Sequence, residues 1–205
     1  MKQIVLSEGK NDVYFLSYFF EKRSGNFEIK RFIGENADGQ IRHEETTEIK
    51  NFRERRNPYH VLAKSENGKS NLKQVFAALV NQLMRIDPEI VVLVDLDGGS
   101  LREFVNDLDE QVRTQHSGRG TELGAPSITE RNGDMVAAIC EVLKGNGNRK
   151  GEFRIVAFKQ TLERVADVSK DEELDTRQAQ IEEFLEETHV YNLLDAVLPD
   201  REEVR

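Results

Sequence analysis

The 205-residue sequence predicts an α/β fold: a mainly parallel sheet flanked by helices on both faces. Three observations carry that expectation. Short β-type runs alternate with helical periodicities along most of the chain. The run Ile90-Val91-Val92-Leu93-Val94 is apolar at every position, as a strand is when both faces of its sheet are covered. Turn residues such as Gly9, Asn67-Gly68 and Gly98-Gly99 stand between these runs and the helical patterns that follow.

Taken in order, Ile4-Val5-Leu6 reads as a strand, Gly9 as a tight turn, and the segment from Asn11 as a helix carrying Val13, Leu16, Phe19 and Phe20 on one side. Phe27 to Ile33 alternates imperfectly and Asn36-Ala37-Asp38-Gly39 supplies turn chemistry, which predicts a β-rich insertion over about residues 27–57. His60 to Ala63 is a second strand. Asn71 to Met84 is a helix burying Leu72, Val75, Phe76, Leu79, Val80 and Leu83. The strand Ile90–Val94 ends at Asp95, and a helix from Ser100 to about Val112 follows, with Ser100 as N-cap and Glu103 completing a capping box. His116 to Pro126, rich in glycine and polar residues, reads as a loop. The spacing of Val136, Ile139, Cys140 and Leu143 predicts a helix over Thr129–Leu143 with a buried cysteine, and Phe153 to Phe158 predicts a fourth strand. The expected organisation is an α/β domain over residues 1–166 and an acidic helical extension over 167–205, docked through Ile181, Phe184, Leu185, Leu193, Leu194 and Val197.

Composition narrows the function classes. With 38% hydrophobic and 33% charged residues the chain can bury one core, and it holds no apolar run of the roughly 18 residues that a membrane span needs. Met1 to Glu8 is too short an apolar stretch for a secretory signal, so a cytoplasmic location without membrane partners is expected. Cys140 is the single cysteine, which excludes an intramolecular disulfide, and His43, His60, His116 and His189 lack zinc-ligand spacing. The net charge is −9, yet Asp167 to Glu187 alone holds nine acids against Lys170 and Arg177. The remainder is nearly neutral and keeps basic clusters at Lys50, Arg53, Arg55, Arg56 and at Lys144, Arg149, Lys150, Arg154, which either meet phosphates or are solvated.

In parallel α/β sheets ligands gather beyond the carboxyl ends of the strands. Glu8 and Asp95 occupy such positions. Asp97 lies two residues beyond Asp95, so both side chains reach one point if the chain is still extended, before Gly98-Gly99 lets it turn. Acids brought together there repel one another unless a cation lies between them, and hard oxygen ligands suit Mg²⁺ or Mn²⁺. The plainer reading of the aspartate pair is turn chemistry.

These residues resemble a known family. Ile4-Val5-Leu6-Ser7-Glu8-Gly9-Lys10-Asn11-Asp12 followed by Phe15-Leu16 resembles the glutamate motif of TOPRIM domains, and Val91-Val92-Leu93-Val94-Asp95-Leu96-Asp97-Gly98 resembles their DxD motif. Between them, Gly68-Lys69-Ser70-Asn71-Leu72 is similar to the glycine-lysine loop of TOPRIM domains in OLD-family nucleases. The resemblance spans about residues 1 to 165. It implies a TOPRIM (Rossmann-like) fold and Mg²⁺- or Mn²⁺-dependent phosphodiester chemistry on DNA or RNA, with Glu8 as acid/base or ligand and Asp95 and Asp97 as metal ligands. In OLD-type members an acid matching Asp12 joins the site, against which stands a helix-cap role for Asp12. Glu163, just after the fourth strand, matches a late site segment. Lys10 and Lys69 stand beside the motifs and, with Arg53, Arg55, Arg56, Arg149 and Lys150, are the expected nucleic-acid contacts. The sequence given shows neither the ATPase region of many OLD nucleases nor a topoisomerase body, which points to a stand-alone module and a small nuclease, with a protein partner or a second copy as further partners.

Three rival readings remain open. Ala63 to Ser70 fits a relaxed phosphate loop with Ala63 in place of the first glycine. Leu93 to Ser100 resembles the first motif of haloacid-dehalogenase-type phosphatases, with Gly99 where Thr is usual. A non-catalytic module that binds nucleic acid or a protein partner through the same edge is the third.

Overall fold

The fold was examined in a computed structural model, which describes residues 2–24, 28–33, 43–83, 89–169 and 173–198. Five strands run parallel in the order β2 (Ile29–Ile33), β3 (Val61–Ser65), β1 (Gln3–Ser7), β4 (Glu89–Asp95) and β8 (Arg149–Phe158). Beyond β8 the sheet turns antiparallel. β7 (Met135–Leu143) pairs with β8 along its whole length, and β5 (Glu122–Leu123) and β6 (Ser127–Arg131) pair with successive parts of β7. The described residues thus form a mixed, largely parallel sheet of eight strands with seven helices, α1 (Lys10–Ser24), α2 (His43–Arg53), α3 (Lys69–Leu83), α4 (Leu101–Gln115), α5 (Leu162–Val165), α6 (Leu174–Glu186) and α7 (Thr188–Val197).

The two-residue period of a strand divides the core between the faces. Ile4, Leu6, Leu62, Ile90, Val92, Val94, Ile155 and Ala157 join the cluster that packs on α2, α3 and α4. Val5, Val61, Ala63, Val91, Leu93, Val156 and Phe158 join the cluster under α1, α5, α6 and α7. Helices therefore cover both faces, as the continuous apolar run of β4 requires. The α4 helix carries the expected capping box, with Ser100 and Glu103 bonding each other's backbone N–H groups.

The acidic extension belongs to the second core. The α1 helix is buried on more than one side because α6 and α7 lie over it: Phe15 meets Phe184 at 6.1 Å between ring centroids, and Phe19 meets Tyr191 at 5.4 Å. Ile181, Phe184, Leu185, Leu193, Leu194 and Val197 are all buried there, each at the position expected of a docking residue.

Two expectations are corrected. Residues 129–143 are not a helix. Asn132 turns the chain by accepting the N–H groups of Asp134 and Met135 on Oδ1, and β7 then sends Met135 and Ala137 to one face and Val136, Ala138, Cys140 and Val142 to the other. A helix would bury one stripe only, whereas β7 is covered on both faces between β8 and β6, so two-sided burial decides for the strand. The described residues of the segment around 27–57 do not form a β-rich insertion either: they hold one strand and one helix. β2 is the parallel edge of the main sheet, and α2 seals its end of the first face with Ile49 and Phe52. The predicted turn at Asn36 to Gly39 and the helix end at Met84 lie outside the described residues.

Candidate functional site

Strand register fixes the edge at which the acids meet. Ser7 lies beside Ser65 and Leu93, and Asp95 beside Phe158, so the carboxyl ends of β1, β3, β4 and β8 open on one side of the sheet. Glu8 follows β1, Asp95 ends β4, and Thr161 and Leu162 begin α5 after β8. Asp12 stands in the first turn of α1.

Each carboxylate is met by a donor that sets its position. Asp95 is 8% exposed and accepts the Leu162 N–H on Oδ1 at 3.0 Å. Asp12, 3% exposed, accepts the Gly9 N–H on Oδ2 at 2.7 Å, which is the cap contact foreseen for it, made while its charge faces the other acids. Asn11 donates to Glu163 Oε1 at 2.7 Å, and Lys69 Nζ lies 2.5 Å from Asp97 Oδ2. Glu8 receives the Asp95 N–H, yet its Oε2 is buried and meets no hydrogen-bond donor among the described residues.

Proximity shows in the proton affinities. Burial, and then the neighbouring Glu8 charge, push Asp95 up to about 7. Asp12 is raised well above the ordinary range, first by burial and next by Asp95, with Glu163 and Glu8 adding to it. Burial raises Glu8 as well; the Lys69 ammonium opposes that shift, and Asp97 and Glu163 reinforce it. The charges of Glu8, Asp95, Asp97 and Glu163 thus act on one another's neighbourhood, and Asp12 is within reach of Glu8, Asp95 and Glu163. They do not yet stand as a closed ligand set: among the described residues no three acidic, histidine or cysteine side chains are arranged to hold a metal ion. Repulsion among buried carboxylates and a buried Glu8 oxygen without a hydrogen-bond partner among the described residues are costs that a bound cation would offset, and carboxylate oxygens are the donor type that Mg²⁺ or Mn²⁺ would take.

Two glycines let the loop beyond Asp95 fold back. Gly98 has φ +79°, and a Cβ on Gly99 would stand 3.0 Å from the Leu96 carbonyl oxygen. Asp97 itself is in the left-handed region at φ 51°, so the extended chain that would bring its side chain to one point with that of Asp95 is not formed. The turn carries the Asp97 carboxylate to Lys69 and leaves its side chain 56% exposed. A shallow groove of about 140 Å³ opens beside Asp95, lined by Lys69, Lys73, Ser100 and Glu103 among others.

The basic residues divide. Lys10 and Lys69 start α1 and α3 on the acid edge. Arg55 and Arg56 precede β3, and Arg149 and Lys150 open β8, so these four lie at the amino ends of parallel strands, the opposite edge of the sheet. Arg56 pairs with Glu54 at 2.8 Å, Arg149 pairs with Glu141 and Glu152, and Lys150 donates to Asn81. The Arg53 side chain lies outside the described residues. Cys140 takes no part: its thiol is buried against the Gly124 carbonyl and pushed up to about 12.

Sequence reasoning missed a buried ion pair next to the site. Lys64 Nζ lies 2.6 Å from Glu66 Oε2, and the side chains are 2% and 0% exposed. Glu66 follows β3 as Glu8 follows β1, and that was the available signal. Its N–H donates to the Ser7 carbonyl, and the Gly68 N–H donates to that of Glu8, so this loop braces the backbone of the Glu8 turn.

Fold and site together define an α/β protein with an acid cluster at the carboxyl edge of a largely parallel sheet. No protein-family model matches the chain, and no curated protein or solved structure matches it either. Among the described residues, no helix is long and apolar enough to cross a membrane.

Proposed function

We propose that this chain is a TOPRIM-like protein that uses Mg²⁺ or Mn²⁺ for phosphodiester chemistry on nucleic acid, most simply as a small nuclease. One observation carries the reading: burial and neighbouring acid charges raise the proton affinity of Glu8, Asp12 and Asp95 at a single sheet edge, and Glu163 is among the charges acting on each of them. The glutamate and DxD motifs supply Glu8, Asp12 and Asp95 in that order, and Glu163 matches the late segment after the fourth strand. Glu8, Asp12, Asp95 and Glu163 would hold the ion, which when bound offsets negative charge on the phosphoryl oxygens. Glu8, raised by burial and only partly exposed, is suited to move a proton at a reacting oxygen. Lys10, exposed at the start of α1, is placed to meet a neighbouring phosphate.

A phosphate loop at Ala63–Ser70 is disfavoured by charge, because it would wrap an anion around the wholly buried Glu66 carboxylate. A non-catalytic module that holds nucleic acid at this edge is the second reading. It is favoured by the Lys69–Asp97 pair and by the absence of a closed ligand set among the described residues.

Labelled single- and double-stranded DNA and RNA, incubated with Mg²⁺, Mn²⁺ or EDTA, decide between them. Cleavage that needs the metal and is lost in Asp95→Asn and Glu8→Gln supports the nuclease. Salt-dependent binding without product supports the module.

A further inference from the structure

The opposite edge of the sheet carries a cavity apart from the acid cluster. It has a volume of about 390 Å³ and lies beyond the C-terminal end of α4, lined by Arg113, His116, Ser117, Gly120, Thr121 and Glu122 and closed by Gly145 of the β7–β8 turn. The closure is backbone against backbone, since a Cβ on Gly120 would stand 3.0 Å from the Gly145 Cα. The His116 imidazole is fixed in the wall by donating from Nε2 to the Ala77 carbonyl at 2.6 Å.

Hydrogen-bond donors without acceptors gather on this wall. β5 pairs with β7 through one edge, and on its other edge the Leu123 N–H donates to Asp109 Oδ1 at 2.6 Å. Backbone groups alternate in direction along a strand, so the Thr121 N–H faces the same way, one turn further along α4, where Arg113 stands. Thr121 is 2% exposed, and this N–H meets no acceptor among the described residues. Gly120, left-handed at φ 56°, follows the 3₁₀ turn Ser117–Arg119, and a right-handed residue followed by a left-handed one turns successive N–H groups to one side, an arrangement that binds anions. Behind Thr121, whose hydroxyl donates to Asn81 Oδ1 at 3.0 Å, the buried Asn81 Nδ2 also lacks an acceptor, and Lys150 donates to the same Oδ1.

We propose that this cavity binds the phosphate group of a small ligand, with the Thr121 N–H, the Arg113 guanidinium and the Ser117 hydroxyl as donors. Asp109 holds Arg113 Nε at 2.5 Å and Glu122 holds one terminal nitrogen at 2.9 Å, which orients the fork and leaves its other terminal nitrogen without a partner among the described residues. The charge balance favours an anion: Arg119 and Lys144 adjoin Gly120 and Gly145 in sequence, and with Arg113 and Lys150 they outnumber Asp109 and Glu122. The volume is that of a small-molecule pocket and leaves room for an organic body beside the phosphate. This site depends neither on the acid edge nor on a metal ion.

Proton–nitrogen correlation spectra of the whole chain in EDTA, at constant pH and ionic strength, test the proposal by titration with inorganic phosphate, adenosine monophosphate and adenosine. The Gly120 and Thr121 amides should shift saturably with the two phosphates and stay unmoved with adenosine. Tighter binding of the monophosphate assigns the site to a phosphate ester, and equal binding assigns it to the free ion. Arg113→Gln should weaken binding roughly tenfold, and Ser117→Ala, which changes no charge, should weaken it in the same direction. The rest of each spectrum reports that the fold is kept, and Asp95→Asn on the acid edge should bind as wild type does. Unmoved Gly120 and Thr121 amides with both phosphates, equal shifts with adenosine, or undiminished binding in both cavity variants would overturn it.

Discussion

The Asp95 carboxylate accepts the backbone N–H of Leu162 through Oδ1 at 3.0 Å, tying the end of β4 to the first residue of α5 across 67 positions of sequence. That bond stabilises the ionised form, yet burial and the facing Glu8 charge outweigh it and raise the group to about 7. The fold therefore keeps a carboxylate where its charge is costly.

A pH dependence follows, with a definite sign. For an acid whose folded value exceeds its unfolded value, the native state holds the extra proton between the two, so stability falls as pH rises through that window. The metal-free protein should lose stability between about pH 4 and 7 as Asp95 ionises, with Asp12 adding in the same direction. Thermal unfolding in EDTA should give a lower Tm at pH 8 than at pH 5, each kcal/mol appearing as roughly 2–4 °C in a chain of this size. Asp95→Asn should flatten the profile, and millimolar Mn²⁺ should raise the wild-type Tm at pH 8 but not that of the variant. Equal Tm values for wild type at the two pH values would refute this.

The Lys64–Glu66 pair gives a prediction about stability alone. Removing one partner leaves a charge buried at 2% exposure or less and should cost about 3–5 kcal/mol, whereas Lys64→Met with Glu66→Met together should recover most of that loss. Urea denaturation of the two single variants and the double variant measures it; an additive double variant would contradict the pairing.

Gly98→Ala places a Cβ on a backbone at φ +79° and should destabilise by about 1–2 kcal/mol. Because the same turn delivers Asp97 to Lys69, the variant should also change Mn²⁺ affinity, as read by titration calorimetry. A wild-type affinity and Tm would show that the turn tolerates a side chain.

Much of this was legible in the chain itself, for identifiable reasons. β1, β3, β4 and β8 announce themselves because a strand buried on both faces favours short, nearly continuous apolar runs, and Glu8 and Asp95 then stand out as the acids that end such runs. β7 reads as a helix because Val136, Ile139 and Leu143, its larger aliphatic residues apart from Val142, fall at helical spacing and cut across the two-residue alternation. Ala137, Ala138 and Cys140 between them carry little β preference. α2 was hidden for another reason: Ile49 and Phe52 are its only buried apolar anchors, too narrow a stripe to outweigh nearby turn chemistry. The donors that hold the acids, Asn11 and the Leu162 N–H, depend on tertiary contact and leave no local signature. Glu66 had such a signature and was overlooked because the phosphate-loop pattern around it drew the reading elsewhere.

The separation of the basic residues bears on nucleic-acid binding. Lys10→Gln, on the acid edge, should lower the slope of log affinity against log salt by about 1 for a single-stranded oligonucleotide. Arg149→Gln and Lys150→Gln, on the opposite edge, should leave that slope unchanged. Filter binding over a salt series distinguishes them, and the reverse pattern would move the nucleic-acid path to the amino ends of the strands.

The central claim is that acids distant in sequence converge to hold a divalent cation. Anomalous diffraction from a crystal soaked in Mn²⁺ tests it most directly. A single peak in ligating contact with the Glu8 and Asp95 carboxylates is the predicted result; an ordered, unprotonated cluster at pH 8 with no peak, or with a peak away from both residues, would contradict it.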